Sequence, residues 1–259
     1  MGSAQTGDMT GFENFGIAHW VMLALFVAGI WPVVRLGRAH RGTPSARTFS
    51  RWFALAIPAF TIPLQVIDFL PGQYDFDTTL PLQLCDFAWI AAVVALWTHS
   101  RFAAALTYYW GLVLTSQALV TPWLNADVPS PKFLGYWGMH MLIVWSAIYL
   151  AWGLRLTPRW RDYVGTVATT AAWAVVVYVF DVLTDTNYGF LVEKPSSGTI
   201  LDLLGPWPLY VIVEIALIAG VWALMTWPWN RPPQPAAART FSRSRSGESG
   251  VPPRPASQS

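Results

Sequence analysis

The sequence predicts an all-α polytopic membrane protein, a seven-transmembrane-helix bundle with its amino terminus outside and its carboxyl terminus in the cytoplasm. Three observations predict it. Of the 259 residues, 54% are hydrophobic and only 12% charged, whereas soluble domains carry about a quarter charged residues. Apolar runs recur along the whole chain, each long enough at about 1.5 Å per residue to cross a hydrocarbon core of about 30 Å. Arginine and lysine are divided very unevenly between alternate loops, which fixes the expected orientation.

The runs cover residues 16–34, 52–70, 80–97, 102–121, 133–152, 164–183 and 208–227. Residues 1–15 form a polar extracytoplasmic tail. They hold Asp8 and Glu13 and no Lys or Arg, so they lack the basic start of a cleaved signal peptide, and the first run is expected to be kept. The second run contains Pro58 and Pro63, expected to break its helix. The third, 80–97, carries the single cysteine of the chain, Cys85, close to Gln83 and Asp86. Gln117 lies in the fourth run, His140 in the fifth and Glu214 in the seventh. Trp31, Trp52, Trp97, Trp152 and Trp227 fall at or near run ends, as interfacial aromatic belts do.

Arg35, Arg38, Arg41, Arg47 and Arg51 occupy the first loop, Arg101 the third, and Arg155, Arg159 and Arg161 the fifth. Five further arginines follow the last run, and only Lys132 and Lys194 lie on the other side. Residues 184–205 lie on that outer side with Asn187, Glu193, Lys194 and Asp202, but Phe190, Leu191, Ile200 and Leu201 make them too apolar for a free loop. They are expected to form a lid. The membrane domain is thus residues 16–229, and residues 230–259, rich in Pro, Ala, Ser and Arg, are expected to be a disordered cytoplasmic tail.

Threading each run in its predicted direction, at about 1.5 Å per residue, places the polar groups at one level. By that rise Cys85 lies about 7 Å inside the outer boundary, His140 about 10 Å, Glu214 about 9 Å, Gln117 about 6 Å and His19 about 5 Å, while Asp68 and Asp181 lie within about 3 Å. The cytoplasmic halves of all seven runs contain no Asp, Glu, His, Lys, Arg, Asn or Gln. Ionisable groups cost about 2.5–3.5 kcal/mol each at a helix centre on insertion scales, so they face the bundle interior and pair or work there. A shared polar pocket open to the outer leaflet is the expected reading for Cys85, His140, Gln117 and Glu214. For Asp68, Asp181 and His19, simple proximity to the interface explains as much.

A free thiol has a reference pKa of about 8.5 and needs a base. His140 is the candidate: a Cys and His pair can form an acyl-enzyme and pass the acyl group on. Glu214 or Asp86 could orient the imidazole, and Gln117 or Gln83 could donate to an oxyanion. The competing reading is Cys85 as a small core hydrophobe. Other chemistries fit less well. One cysteine excludes an intramolecular disulfide. His40 and His99 fall on the cytoplasmic side, so no three-histidine metal site forms and only a mixed His and carboxylate site stays open. There is no Walker A or dinucleotide glycine pattern, no cofactor is expected, and the arginine clusters are topological signals rather than a nucleic-acid footprint.

LPLQLCD at 80–86, GLVLTSQALVTP at 111–122, His140, and NYGFLVEKPSSGTILDLLGPWPLY at 187–210 together resemble the YwaF-like family of bacterial integral membrane proteins, whose eukaryotic relative is transmembrane protein 164. The resemblance runs from about residue 11 to 229. It implies the fold of the androgen-induced hydrolases of fatty acid esters of hydroxy fatty acids, and a phospholipid acyltransferase with a membrane cysteine as acyl carrier. Matched by LPLQLC, that cysteine is Cys85 and its partner base His140; the partners would be membrane phospholipid and lysolipid in the cell membrane. One departure is Gln83, where many members are expected to carry His. The expectation is therefore a Cys/His-dependent lipid acyltransferase or acyl hydrolase. The alternatives are a non-catalytic lipid-binding, sensing or assembly protein, which would need no thiol chemistry, and a small-solute carrier, which would need a polar path through the inner half.

Overall fold

The computed structural model describes residues 13–122, 124, 126, 128–194 and 203–231. Asp202, most of the amino-terminal tail and nearly all of residues 230–259 lie outside the described residues. Among the described residues the chain is all-helical. The elements are α1 (Ile17–His40), α2 (Pro44–Asp68), α3 (Leu84–Thr98), α4 (Arg101–Tyr109), α5 (Ser116–Val120), α6 (Pro131–Ile148), α7 (Trp160–Thr184) and α8 (Leu209–Thr226). A π-helical segment, Trp110–Thr115, joins α4 to α5 in one rod, and another, Tyr149–Gly153, prolongs α6. Five rods, α1, α2, α6, α7 and α8, are long and apolar enough to cross a membrane, and α3 is a shorter apolar helix.

The helices overrun the apolar runs where the flanking sequence allows. α1 continues to His40 through Arg35 and Arg38, and α2 starts at Pro44, whose fixed φ suits the first helical position. α3 does the opposite and starts only at Leu84, because Gln83 and Asp86 cap it there. Pro58 and Pro63 do not break α2, which runs unbroken for 25 residues. In hydrocarbon an interrupted backbone finds no water to bond, so continuing past a proline costs less than breaking the helix.

α6 is the axis of the bundle. Of its most apolar stretch 61% is buried, against 6% for α1, 17% for α7 and α8 and 22% for α2. α1, α2, α3 and α4 all pack on it. The peripheral helices turn large apolar side chains outward, among them Ile17, Val27, Trp31, Val176, Leu183 and Leu224. A soluble monomer rarely exposes so continuous an apolar surface, and lipid is the medium that fits it.

The half of the bundle nearer the arginine-bearing turns is cross-linked by neutral groups. Tyr109 and Thr226 hydroxyls pair at 2.6 Å, Trp229 donates to Tyr108 at 3.0 Å, Trp110 to Thr170 at 2.9 Å, and Ser50 meets Tyr149 at 3.0 Å. Each bond joins two different elements. At the same end α1 crosses the π segment at a pair of glycines: a Cβ on Gly37 would stand 2.5 Å from Gly153 Cα. Arg41 then donates to Trp152 O at 3.0 Å and to Gly153 O, satisfying carbonyls at the end of the rod. Gly37→Leu should therefore lift α1 off the axis. Overpacking of this kind costs about 1–3 kcal/mol, to be read as a lowered thermal midpoint in detergent; an unchanged midpoint would mean that α1 packs elsewhere.

Candidate functional site

Cys85 is the second residue of α3. The main-chain N–H of Gln83 donates to Asp86 Oδ2 at 3.1 Å, and Asp86 N–H returns to Gln83 O at 2.9 Å. Asp86 therefore spends its carboxylate on fixing the helix start, a placement the helix dipole also favours. Gln83 is committed on one side too, because its Oε1 accepts from Gly189 N–H at 3.0 Å.

That last bond brings together two motifs a hundred residues apart in sequence. Leu80 N–H donates to the Tyr188 hydroxyl at 3.2 Å, that hydroxyl donates to Phe76 O, and Trp173 Nε1 donates to Leu82 O at 3.1 Å. Gly189 has φ +68°, and a Cβ there would meet the Trp173 ring at 2.6 Å, so only glycine fits. The hub of the segment is Asp181, 1% exposed, whose Oδ1 accepts from Thr186 Oγ1 at 2.8 Å and from Tyr188 N–H at 3.0 Å. Asn187 closes the turn beyond, accepting from Val192 and Glu193 N–H and donating to Glu193 O at 2.7 Å. Lys194 sits over the Tyr210 ring at 5.3 Å, and Tyr210 donates to Phe190 O at 2.7 Å. The outer segment is thus fastened to the residues immediately before Cys85.

His140 is 3% exposed on α6. Its Nδ1 lies 2.6 Å from Tyr136 O and its ring lies 4.3 Å from the Tyr136 ring. A carbonyl only accepts, so the proton is on Nδ1 and Nε2 keeps the basic lone pair. Cys85 and His140 are related through the packing of α3 and α6. Ala95 and Tyr149 share one buried cluster and Ala88 and Ile143 the next, so the two helices pack along the same part of the bundle and run in the same direction. Cys85 also shares a helical face with buried Ala88, Ala92 and Leu96, and His140 shares one with buried Trp137, Val144 and Ala147. Cys85 is half-buried and His140 buried, and no hydrogen bond joins the two side chains.

The remaining candidates do not gather here. Gln117 is exposed on α5. Glu214 is half-buried on α8, which packs chiefly against α7, one turn from Tyr210. His19 is fully buried, accepting from Phe15 N–H at 2.8 Å and donating to Leu119 O at 3.0 Å, so both ring nitrogens are spent on holding α1. Asp68 pairs with Lys132 at 3.5 Å in a partly exposed ion pair. Among the described residues no three His, Cys, Asp or Glu side chains cluster as a metal ion would need. Tyr136, Trp173, Asp181 and Tyr188 carry the architecture of the site without having been singled out for it. The DTNYG string after Asp181 was the signal, since Thr, a main-chain N–H and a turn glycine in succession are what a buried carboxylate needs for partners.

The structure can be set beside known proteins. A family model described as the TMEM164 family matches residues 14–226, from just before α1 to the end of α8. Comparison with curated proteins and with solved structures finds no match.

Proposed function

The chain belongs to the TMEM164 family, and on that footing we propose that it is a cell-membrane enzyme of lipid acyl transfer or hydrolysis that works through a thioester at Cys85. What supports this reading is that His140, buried on α6, commits Nδ1–H to Tyr136 O and so leaves the lone pair on Nε2, on a helix that packs against the α3 of Cys85. His140 Nε2 takes the thiol proton, and Cys85 Sγ attacks the ester carbonyl of a phospholipid. The carbonyl oxygen gathers negative charge beside the first turn of α3, where the Cys85 N–H has no intrahelical acceptor and the Gln83 amide is held by Gly189. The C–O bond breaks, the lysolipid oxygen leaves with the proton from Nε2, and a thioester remains. An acceptor hydroxyl, of a lysolipid or of water, then gives its proton to Nε2 and attacks the thioester, and the sulfur leaves as the restored thiol. Gln83 takes the role of a donor in this scheme; Asp86 and Asn187 hold the scaffold.

The test is intact mass of the purified protein after incubation with phospholipid, with and without neutral hydroxylamine. A hydroxylamine-sensitive acyl adduct on wild type and none on Cys85→Ala is the expected result. Full lipid-acyl turnover by Cys85→Ala would sink the proposal. A second reading, a non-catalytic lipid-binding protein, draws on the two described hollows, which both lie at the other end of the bundle from Cys85. Lipid binding without adduct or turnover would select it.

A further inference from the structure

At the arginine-bearing end, a cavity of about 530 Å³ opens where the α1–α2 turn meets the end of α3 and the strand of chain after the second π segment. Arg41, Arg47 and His99 line it together with Thr43 and Ala46, and no carboxylate does. Arg41 and His99 are oriented by partners other than a counter-ion. Arg41 spends Nε and Nη2 on the carbonyls of Gly153 and Trp152, and its Nη1 makes no bond within the protein. His99 closes α3 in a left-handed conformation, φ 55°. Its Nε2 lies 2.9 Å from Ser50 Oγ, which meets the Tyr149 hydroxyl at 3.0 Å, while Nδ1 makes no bond within the protein. Ser50 and Tyr149 are fully buried, so the imidazole is pinned from behind. Burial, then Arg47 and Arg51, push the His99 pKa down from its ordinary value, and no carboxylate among the described residues lines the cavity. The cavity also meets the amino-terminal end of α2, 25 residues long, whose Thr43 donates to His40 O rather than capping the first turn.

We infer that this cavity binds a phosphate group, held by Arg41, Arg47 and the His99 imidazole at the start of α2. Arginine suits it because a guanidinium offers several donors to one phosphate. Two sources share that chemistry: the headgroup of an anionic lipid and a small soluble phosphate. The headgroup has a supporting feature, since Trp52 and Trp97 stand exposed nearby, as belt residues do at headgroup level. The site does not depend on the thiol chemistry; Cys85 lies 14 residues up α3 from His99, roughly 21 Å at helical rise.

The experiment is binding to the full chain in neutral detergent, by native mass spectrometry and by thermal shift. The probes are dioctanoyl phosphatidylglycerol, dioctanoyl phosphatidylcholine and inorganic pyrophosphate. Wild type should bind phosphatidylglycerol at least ten-fold more tightly than phosphatidylcholine, and Arg47→Gln with His99→Gln should lose ten-fold or more. Because His99 also positions Ser50, Arg47→Glu is the second variant: Arg47 is exposed and its replacement leaves the fold intact. Arg101→Gln, outside the cavity wall, should bind as wild type. Pyrophosphate binding as tightly as phosphatidylglycerol and competing with it would assign the site to a soluble phosphate; lipid binding that pyrophosphate cannot displace assigns it to the headgroup. Unchanged anion affinity in Arg47→Glu overturns the inference. Cys85→Ala protein should give the same result as wild type, so this outcome is separate from that of the acyl-transfer test.

Discussion

His140→Gln should slow formation of the acyl adduct on Cys85 by about 10²–10⁴-fold, the range spanned by a positioned general base. Gln is close in length to the imidazole and its amide can still donate to Tyr136 O, so the packing against Tyr136 is largely kept. What it lacks is the lone pair that Nε2 presents once Nδ1–H is committed to that carbonyl. The measurement is single-turnover adduct formation followed by intact mass, since a slow second step would otherwise hide the first. An adduct formed at the wild-type rate would leave His140 as a packing residue. Tyr136→Phe is the companion: its ring and carbonyl remain while the hydroxyl bond to Ala118 O at 2.8 Å is lost, so the chemistry should survive it.

Asp181→Ala should release the outer segment from the start of α3. The substitution orphans the Thr186 hydroxyl and the Tyr188 N–H, at about 1–3 kcal/mol for each buried group left unpaired. Through Tyr188 it loosens the links to Leu80 and Phe76, and through Gly189 the link to Gln83. Labelling of Cys85 by a maleimide should accelerate by ten-fold or more, since local opening becomes cheaper by that free energy. Asp181→Asn keeps an acceptor at the Oδ1 position and should label close to the wild-type rate. Equal labelling of Ala and wild-type proteins would show that the segment does not govern access to the thiol.

Length and hydropathy carry information about where helices lie, and that was legible: the apolar runs fall on helical rods, with α3 the main departure at its start. Rotation about each axis is set by packing and is not legible from a single run. Gln117 shows the difference, since its helix turns it to the exposed surface. His140 shows the other case, because apolar residues at helical spacing mark its face of α6 as buried. Asp181 looked like an interfacial acid because its partners follow it in sequence through a turn whose geometry only the fold reveals. The π segments also escaped, since an extra residue in a turn answers to close packing between elements far apart in the chain, as at Gly111, where an added Cβ would stand 3.1 Å from Ala147 Cβ.

The central position of α6 has a consequence for biogenesis. Its mean hydropathy is 1.3, against 2.0 for α1 and 2.1 for α8, so it is among the rods least able to partition into lipid by itself. The helices that cover it, α1 through α4, all precede it in the chain. The order of synthesis therefore delivers the sheath before the axis, and the fifth rod enters a bilayer in which protein surfaces are already waiting to receive it.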